Sequence, residues 1–453
     1  MSSLGEERQW VYPLKVKGTY QRIHRYVSGG LFAVLLVTPW IEIGGHPALL
    51  ADLWARRLYV AGNIFTPRDT IFLVLIGLFV AFSLFFFTSL YGRMWCGYAC
   101  PQTVFLEELI RPIEERIEGS RGKRMARDRG PWTVDKAWRK ALKWTVFAGV
   151  AGFVSMSLAS IFVRPMVLWT GQAPASAYAV TASIGAMLFI DFAWFRDQFC
   201  SYLCPYARFQ GALTDDQSLV IQYDTVRGEP RGNKRKQKAL AAAGEPSGGC
   251  IDCKKCVSVC PQGIDIRNGY QLECINCARC VDACEDVMGR LGQPSLVRYS
   301  TAAEDRGEQR RVLRPRTVAY GVLLTGIAAT FFGLLLTHHE IDATVNRAPG
   351  SLYTIDEDGF IRNTFLLQVE NNHGGPNDPP TDFAVSISGL DGAELVIPPL
   401  ALESGESRKV PLVIRVPLDA VEARTVPMVV EVSTAFDTIT VETTFKANTK
   451  LEG

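Results

Sequence analysis

The sequence predicts a multidomain protein: an α-helical membrane bundle of about five transmembrane helices, a cysteine-rich insertion and a carboxy-terminal all-β sandwich. Three observations lead to this prediction. Hydrophobic residues make up 48% of the 453 residues and charged residues 21%, so the apolar residues must be concentrated in particular segments. All twelve cysteines lie between Cys96 and Cys284. After residue 337 the long apolar runs give way to short alternating stretches.

Five segments are apolar and long enough to cross a hydrocarbon core, which takes about 20 helical residues. The first is the weakest, because Pro39 interrupts it and Glu42 lies near its end. It follows a charged amino-terminal segment, residues 1–25, and so does not resemble a cleaved signal peptide. The predicted spans are Tyr26–Ile43, Thr70–Tyr91, Leu142–Val163, Tyr178–Phe195 and Val318–Thr337.

Lys and Arg in the flanking regions predict the orientation of these spans. Basic segments precede the first and fifth spans and separate the second from the third, whereas residues 164–177 carry almost no positive charge. We therefore expect the basic segments in the cytoplasm and residues 338–453 in the periplasm, with the chain in a bacterial inner (cytoplasmic) membrane. Residues 227–249, rich in Lys and Arg, are expected to form a mobile linker after a four-helix membrane domain, residues 26–226. The net charge of +2 does not indicate a nucleic-acid partner.

Residues 338–453 predict an immunoglobulin-like sandwich. Short runs rich in β-branched residues alternate with clusters of Gly, Pro, Asn and Asp, which is typical of six or seven strands in about 100 residues. The predicted strands include Phe365–Glu370, Phe383–Ile387, Glu394–Ile397, Lys409–Val416, Val426–Val432 and Thr438–Phe445.

Residues 250–300 contain eight cysteines in two runs with the spacing of a bacterial two-cluster ferredoxin. In such a module three thiolates of one run and the last thiolate of the other hold each cubane 4Fe-4S cluster. Zinc is the alternative, because paired CxxC units also bind zinc, although zinc sites rarely repeat three cysteines at this spacing. The spacing assigns Cys250, Cys253, Cys256 and Cys284 to cluster one, and Cys260, Cys274, Cys277 and Cys280 to cluster two.

The other four cysteines form a duplicated CxxxCP motif. One copy follows the second span and the other follows the fourth, and because both spans run inward, both copies are expected at the same cytoplasmic depth. Soft thiolates favour Cu(I), zinc or an iron-sulfur cluster. The candidates are therefore a copper site, a third cluster or a redox-active dithiol, against buried free cysteines at helix ends. The four residues are Cys96, Cys100, Cys200 and Cys204.

Four further polar residues lie in or next to the predicted spans. His24 is predicted to be interfacial, and His338 and His339 to cap the boundary after the fifth span. Asp191, near the inner end of the fourth span, is either functional or simply solvated. The sequence contains no CxxCH, GxGxxG or P-loop motif, so a cytoplasmic electron donor or quinol must supply electrons.

With the paired CxxxCP motifs, the ferredoxin-type run, the membrane helices and the terminal β-sandwich in this order, the chain resembles the FixG/CcoG family of cytochrome c oxidase accessory proteins. The resemblance implies an oxidoreductase of the cupric reductase type, which reduces Cu(II) to Cu(I) for assembly of a haem-copper oxidase. It also implies copper-handling and oxidase-assembly proteins as partners. The alternatives are a quinol dehydrogenase or electron conduit of the NapH/NosR type, and a non-redox copper-binding scaffold.

Overall fold

The computed structural model describes residues 10–43, 46–52, 57–60, 63–65, 70–336, 339–373, 378–421 and 423–447. The chain forms two compact units. One consists of residues 1–38 and 73–329 and contains all the cysteine motifs, and the other consists of residues 39–72 and 330–453.

Among the described residues, four helices are long and apolar enough to cross a membrane: Thr70–Tyr91, Val134–Ala159, Ala175–Phe195 and Pro315–Leu336. They correspond to the second to fifth predicted spans. The third predicted span begins earlier than its apolar run, because the Thr133 side chain accepts a hydrogen bond from the backbone N–H of Lys136 and caps the helix. The last turn of the fourth, from Asp191 to Phe195, is π-helical.

The first predicted span is also helical, but its helix runs from Thr19 to Val37. It starts early because the Asp282 carboxylate accepts the backbone N–H groups of Tyr20 and Gln21, at 3.1 and 2.8 Å, and so satisfies donors that a helix start leaves free. Its composition does not place it among the four apolar helices.

His24 lies in this helix. It is buried, so the prediction that it is interfacial is wrong. Its Nε2 is 3.0 Å from the carbonyl oxygen of Cys277, and its ring stacks on Tyr98 with centroids 4.0 Å apart. The helix therefore packs its charged half against the cysteine-rich insertion, which the apolar pattern could not indicate.

The insertion is framed by an antiparallel strand pair, Val220–Tyr223 and Val297–Ser300, and contains the helices Lys255–Ser258 and Arg279–Gly289. Part of the predicted linker has regular structure. It contains the helix Lys234–Ala242, in which Gln237 Nε2 donates to the Cys250 carbonyl at 2.8 Å.

Short helical segments connect the spans and lead into the insertion. They are Met94–Tyr98, Pro101–Val104, Phe105–Ile110, Arg111–Glu118, Arg121–Arg129, Pro165–Trp169, Phe199–Leu203, Pro205–Leu213, Thr225–Gly228 and Ala302–Asp305.

The second unit contains the predicted sandwich, whose core lies between two antiparallel sheets. Burial alternates along the strands, so that Phe365, Leu412, Val430 and Phe445 are among the fully enclosed residues. One sheet has the order Glu394–Val396, Ser407–Pro417, Phe360–Asn371 and Ile341–Arg347, with Thr354–Ile355 also on Phe360–Asn371, and the other has Ala384–Ser388, Thr425–Ser433 and Thr438–Lys446.

The unit also contains a small three-stranded sheet that the sequence did not predict. Its strands Leu49–Asp52, Arg57–Val60 and Asn63–Phe65 enclose Leu50 and Ile64. The unit also contains two antiparallel pairs of short strands, each strand two residues long: Glu42–Ile43 with His46–Pro47, and Thr381–Asp382 with Ala401–Leu402.

Candidate functional site

The eight cysteines of the insertion surround two adjoining cavities. One is here called the cluster-one cavity and the other the cluster-two cavity. Cys256 borders both, so the cavities lie side by side. The cluster-one cavity is lined by Cys250, Cys253, Cys256 and Cys284, and the cluster-two cavity by Cys260, Cys274, Cys277 and Cys280.

The same backbone device curls both cysteine runs around their cavities. Asp252 and Lys254 flank Cys253 with φ of 51° and 53°, and Asn276 and Ala278 flank Cys277 with φ of 54° and 55°. This left-handed conformation is uncommon outside glycine, and Asp and Asn adopt it more readily than other residues. The two runs therefore form equivalent turns, as their equal spacing implies.

The thiols suit a polynuclear cluster. Burial raises the pKa of Cys256, Cys274 and Cys277 to about 12 each, so the thiolate form needs a strongly cationic partner at neutral pH. Among the described residues, no three His, Cys, Asp or Glu side chains converge in a way that could hold a single metal ion. Four sulfurs around a space fit a cubane, whose corners they would ligate, better than a tetrahedral zinc ion.

The two CxxxCP motifs have matching local structures. Each first cysteine lies in a short helical turn, Met94–Tyr98 or Phe199–Leu203, and each second cysteine is extended, with ψ of 127° for Cys100 and 113° for Cys204. The following proline disfavours helical geometry at the residue before it, which explains the shared break.

The four thiols of these motifs lie near one another. Burial raises the pKa of Cys100, and Cys96 and Cys204 raise it further. Burial also raises the pKa of Cys200, with added contributions from Cys100 and Cys96. These interactions bring the four thiols into one region, although among the described residues no three of them converge closely enough to hold a single metal ion. The four are here called the thiol set.

A buried ion pair joins the two repeats. Arg196, which precedes the second motif and has φ of 52°, donates to both Glu114 oxygens at 2.8 and 2.7 Å. Burial alone would raise the pKa of Glu114, but Arg196, Lys143 and Arg124 outweigh burial and hold the pKa at about 2. Gln102 Nε2 donates to the Arg196 carbonyl at 2.9 Å, so residues following the first motif fix the start of the second.

One member of the thiol set contacts the second cysteine run. Cys96 packs against Ile275 and Cys277. The backbone of Gly97 lies so close to the same loop that a Cβ there would approach the Ile275 carbonyl oxygen to 2.5 Å and the Cys277 nitrogen to 3.0 Å. Only glycine fits without moving the backbone, so the first motif and the second cysteine run are in direct contact.

Two of the remaining candidate residues make polar contacts in the described part of the chain. Asp191 is buried, not solvated, and accepts a hydrogen bond from Gln102 Nε2 at 3.1 Å. His339 Nδ1 is 3.0 Å from Asp437 Oδ1, while His338 lies outside the described residues.

The sequence pattern did not indicate the buried arginines around the insertion. Arg93, Arg111 and Arg279 are 3%, 7% and 8% exposed and lie near the second cysteine set. The signal available was the internal repeat itself, in which an arginine, Arg93 or Arg196, precedes each CxxxCP motif.

Family models match three parts of the chain. A "4Fe-4S dicluster domain" matches residues 195–302, and a "4Fe-4S binding domain" matches residues 71–118. The "IG-like fold at C-terminal of FixG" matches residues 331–448. These matches support two iron-sulfur clusters and an immunoglobulin-like carboxy-terminal domain.

Several curated proteins resemble most of the chain. Protein RdxA of Cereibacter sphaeroides is 34% identical over 383 residues, which is 80% of this chain and 80% of RdxA. Protein RdxB of the same organism is 33% identical, covering 88% of each chain. Nitrogen fixation protein FixG of Rhizobium meliloti is 33% identical over 81% of this chain and 78% of its own.

A crystal structure of a FixG-related protein from Vibrio parahaemolyticus is 18% identical over 24% of this chain and 99% of that one, with a TM-score of 0.22. At that score the likeness supports no inference. The curated relatives and the family models agree on one conclusion: the chain belongs to the FixG family and is an iron-sulfur electron-transfer protein with apolar helices compatible with a membrane.

Proposed function

We propose that this chain passes single electrons from a cytoplasmic donor through two 4Fe-4S clusters to copper held by the thiol set. Cu(II) would be reduced to Cu(I) for the assembly of a haem-copper cytochrome c oxidase. The observation that carries the proposal is the contact of Cys96 with Cys277 and Ile275, which supports a soft-ligand site next to the second cysteine set.

The exposure of the cysteines supports an order for this relay. Cys253, in the cluster-one set, is exposed, whereas the other ligand cysteines are buried or partly buried. A donor protein would therefore reach cluster one most directly, and cluster two would lie between it and the thiol set. Cubane clusters transfer one electron at a time, which matches the one-electron reduction of Cu(II).

The thiol set suits the product of that reaction. Thiolates are soft ligands that favour Cu(I). The Cys100 sulfur accepts backbone N–H groups of Gln102 and Thr103, which favour its ionised form. These contacts would favour the thiolate form of Cys100 when copper binds.

We further propose that the amino-terminal helix Thr19–Val37 is a fifth membrane crossing. Tyr20 and Gln21 contact Asp282 in the insertion. Two spans lie in the chain between Tyr91 and the insertion, so the insertion is on the same side of the membrane as the Tyr91 end of Thr70–Tyr91. The chain must then cross once before Thr70. Of the described segments before Thr70, only this helix is long enough.

Reporter fusions test this topology. We expect green fluorescent protein at the amino terminus to fluoresce in the cytoplasm, and alkaline phosphatase after residue 447 to be active in the periplasm. Five crossings place the two termini on opposite sides, with the basic loops inside. Two termini on the same side would contradict the fifth crossing.

A copper-reduction assay tests the function. The protein is purified anaerobically, reduced, desalted to remove reductant and mixed with Cu(II), and Cu(I) is measured with a chelating dye. We expect Cys96→Ala and Cys200→Ala to lower the rate at least about tenfold, because each removes a soft ligand, while the EPR signals of the two clusters persist. Ser201→Ala, within the second motif, is the matched control and should retain the wild-type rate.

The other outcomes separate the rival functions. Full activity of both cysteine variants would exclude copper at the thiol set. Oxidation of quinol without reduction of Cu(II) would indicate an electron conduit, and copper reduction that persists without the clusters would indicate a scaffold. Iron content of about eight atoms per chain is expected for two cubanes, and about twelve would mean a third cluster at the thiol set.

A further inference from the structure

Three buried guanidinium groups contact the loops of the cluster-two set. Arg111 Nη2 donates to the carbonyl of Pro261, next to Cys260, at 3.2 Å. Arg93 Nη1 donates to the Leu272 carbonyl, just before the second cysteine run. The third, Arg279, lies in the sequence between Cys277 and Cys280.

Few negative charges balance these cations at close range. Arg111 Nε and Arg279 Nη1 share a single carboxylate, Glu107, at 2.8 and 2.6 Å. Arg93 donates to a neutral carbonyl, and the Arg111 Nη1 atom is buried with no hydrogen-bond acceptor among the described residues.

The cluster-one cavity has the opposite balance. Its lining includes one buried guanidinium, Arg267, which faces two carboxylates, Asp252 at 2.5 Å and Asp265 at 2.6 Å. The nearby Lys255 pairs with Asp286 at 2.5 Å. Lys254 is exposed, so water and salt screen its charge.

More distant acids also surround the cluster-two set. Glu108 and Asp197 lie 4.0 and 3.9 Å from Arg279 and Arg111. Asp282 is buried, but its oxygens accept the first N–H groups of the amino-terminal helix, whose positive end offsets its charge. Glu273, which precedes Cys274, is only partly buried, whereas the three guanidinium groups are buried in or against the ligand loops.

We propose that Arg93, Arg111 and Arg279 hold cluster two at a higher reduction potential than cluster one. Reduction adds negative charge to a cluster, so nearby buried cations favour the reduced form and nearby carboxylates oppose it. An electron that enters at cluster one would then move favourably to cluster two, beside the thiol set. This inference rests on the cluster assignments of the proposed function, and these arginines are positioning residues that never touch copper.

An EPR-monitored redox titration of the full-length protein in detergent tests the inference without a copper assay. We expect two midpoint potentials in the wild type. Cys253→Ser removes cluster one, and the remaining signal should be the one with the higher midpoint.

Arg279→Gln should lower that midpoint and leave the other unchanged. A buried unit charge about 10 Å away changes such an equilibrium on the order of tenfold, which is about 59 mV for a one-electron couple. Arg279→Lys, which keeps the charge, should restore most of the shift. Arg267→Gln is the matched variant at cluster one and should lower only the other midpoint.

A cluster two whose midpoint is equal to or below that of cluster one would overturn the inference. An Arg279→Gln variant with both signals intact and both midpoints unchanged would also overturn it. If Arg279→Gln loses a cluster, Arg111→Gln is titrated in its place, and the same selective lowering of the cluster-two midpoint potential is expected. Failure of the proposed function can be distinguished from failure of this inference. It would change the result of the iron analysis or the copper assay and leave the order of the two midpoint potentials unchanged.

Discussion

A Cys260→Ser variant is expected to lose the same cluster as Cys277→Ser, although Cys260 belongs to the other cysteine run. The reason is that Cys260 lines the cluster-two cavity together with Cys274, Cys277 and Cys280. Each variant should retain about four of about eight irons, because one cubane remains fully ligated. Iron and sulfide analysis with EPR measures the result.

Cys284→Ser provides the reciprocal test. Cys284 lines the cluster-one cavity, so its replacement should remove the EPR signal that Cys253→Ser removes and leave the cluster-two signal. If each cubane instead drew its four ligands from one run, Cys260→Ser would match Cys253→Ser. That pattern would contradict the crossed grouping.

Replacing Glu114 with glutamine is expected to destabilise the first unit by about 3–5 kcal/mol, the usual cost of leaving a buried charge without its partner. Glu114 is 2% exposed and pairs with Arg196 at 2.7 Å, Arg124 at 3.3 Å and Lys143 at 3.5 Å. Thermal unfolding in detergent, followed by loss of the cluster absorbance, measures the change. Copper reduction should fall in parallel, because the same pair joins the two CxxxCP motifs.

The pH dependence of this effect follows from the low pKa of Glu114. A carboxyl whose folded pKa is depressed to about 2 contributes stability that is fully present above its unfolded pKa of about 4.3 and is lost as the pH falls toward 2. The difference between wild type and Glu114→Gln should therefore stay constant from pH 6 to pH 8.

The neighbouring Glu115 supplies the control. Its side chain is 41% exposed and lies 3.7 Å from Lys15, so Glu115→Gln should change stability by less than about 1 kcal/mol. Equal effects of the two substitutions would show that Glu114 has no special structural role.

Local patterns predicted the parts of the fold that depend on local chemistry. The run of apolar residues from Thr70 to Tyr91 predicted its helix to the residue, and the alternation from Thr438 to Phe445 predicted a strand that runs one residue further, to Lys446. The proline after Cys100 and Cys204 accounts for the helix break at each.

Features that depend on contacts between distant parts of the chain could not be predicted from local sequence patterns. The amino-terminal helix begins at Thr19 because Asp282, far along the chain, caps it. His24 looks like a polar residue at a membrane boundary, and only tertiary packing shows that it meets Cys277. Arg111 and Arg279 resemble ordinary solvated arginines until Glu107 is placed between them.

The contact at Gly97 has a consequence for how the protein can change. Since main chain meets main chain there, the gap between the thiol set and the second cysteine run is set by backbone packing and not by the size of any side chain. Substitutions elsewhere in the spans can alter stability or lipid contacts and still leave this spacing unchanged. A single methyl group at position 97 would widen it, so in the proposed function the length of the electron-transfer step to the thiol set would depend on one missing side chain.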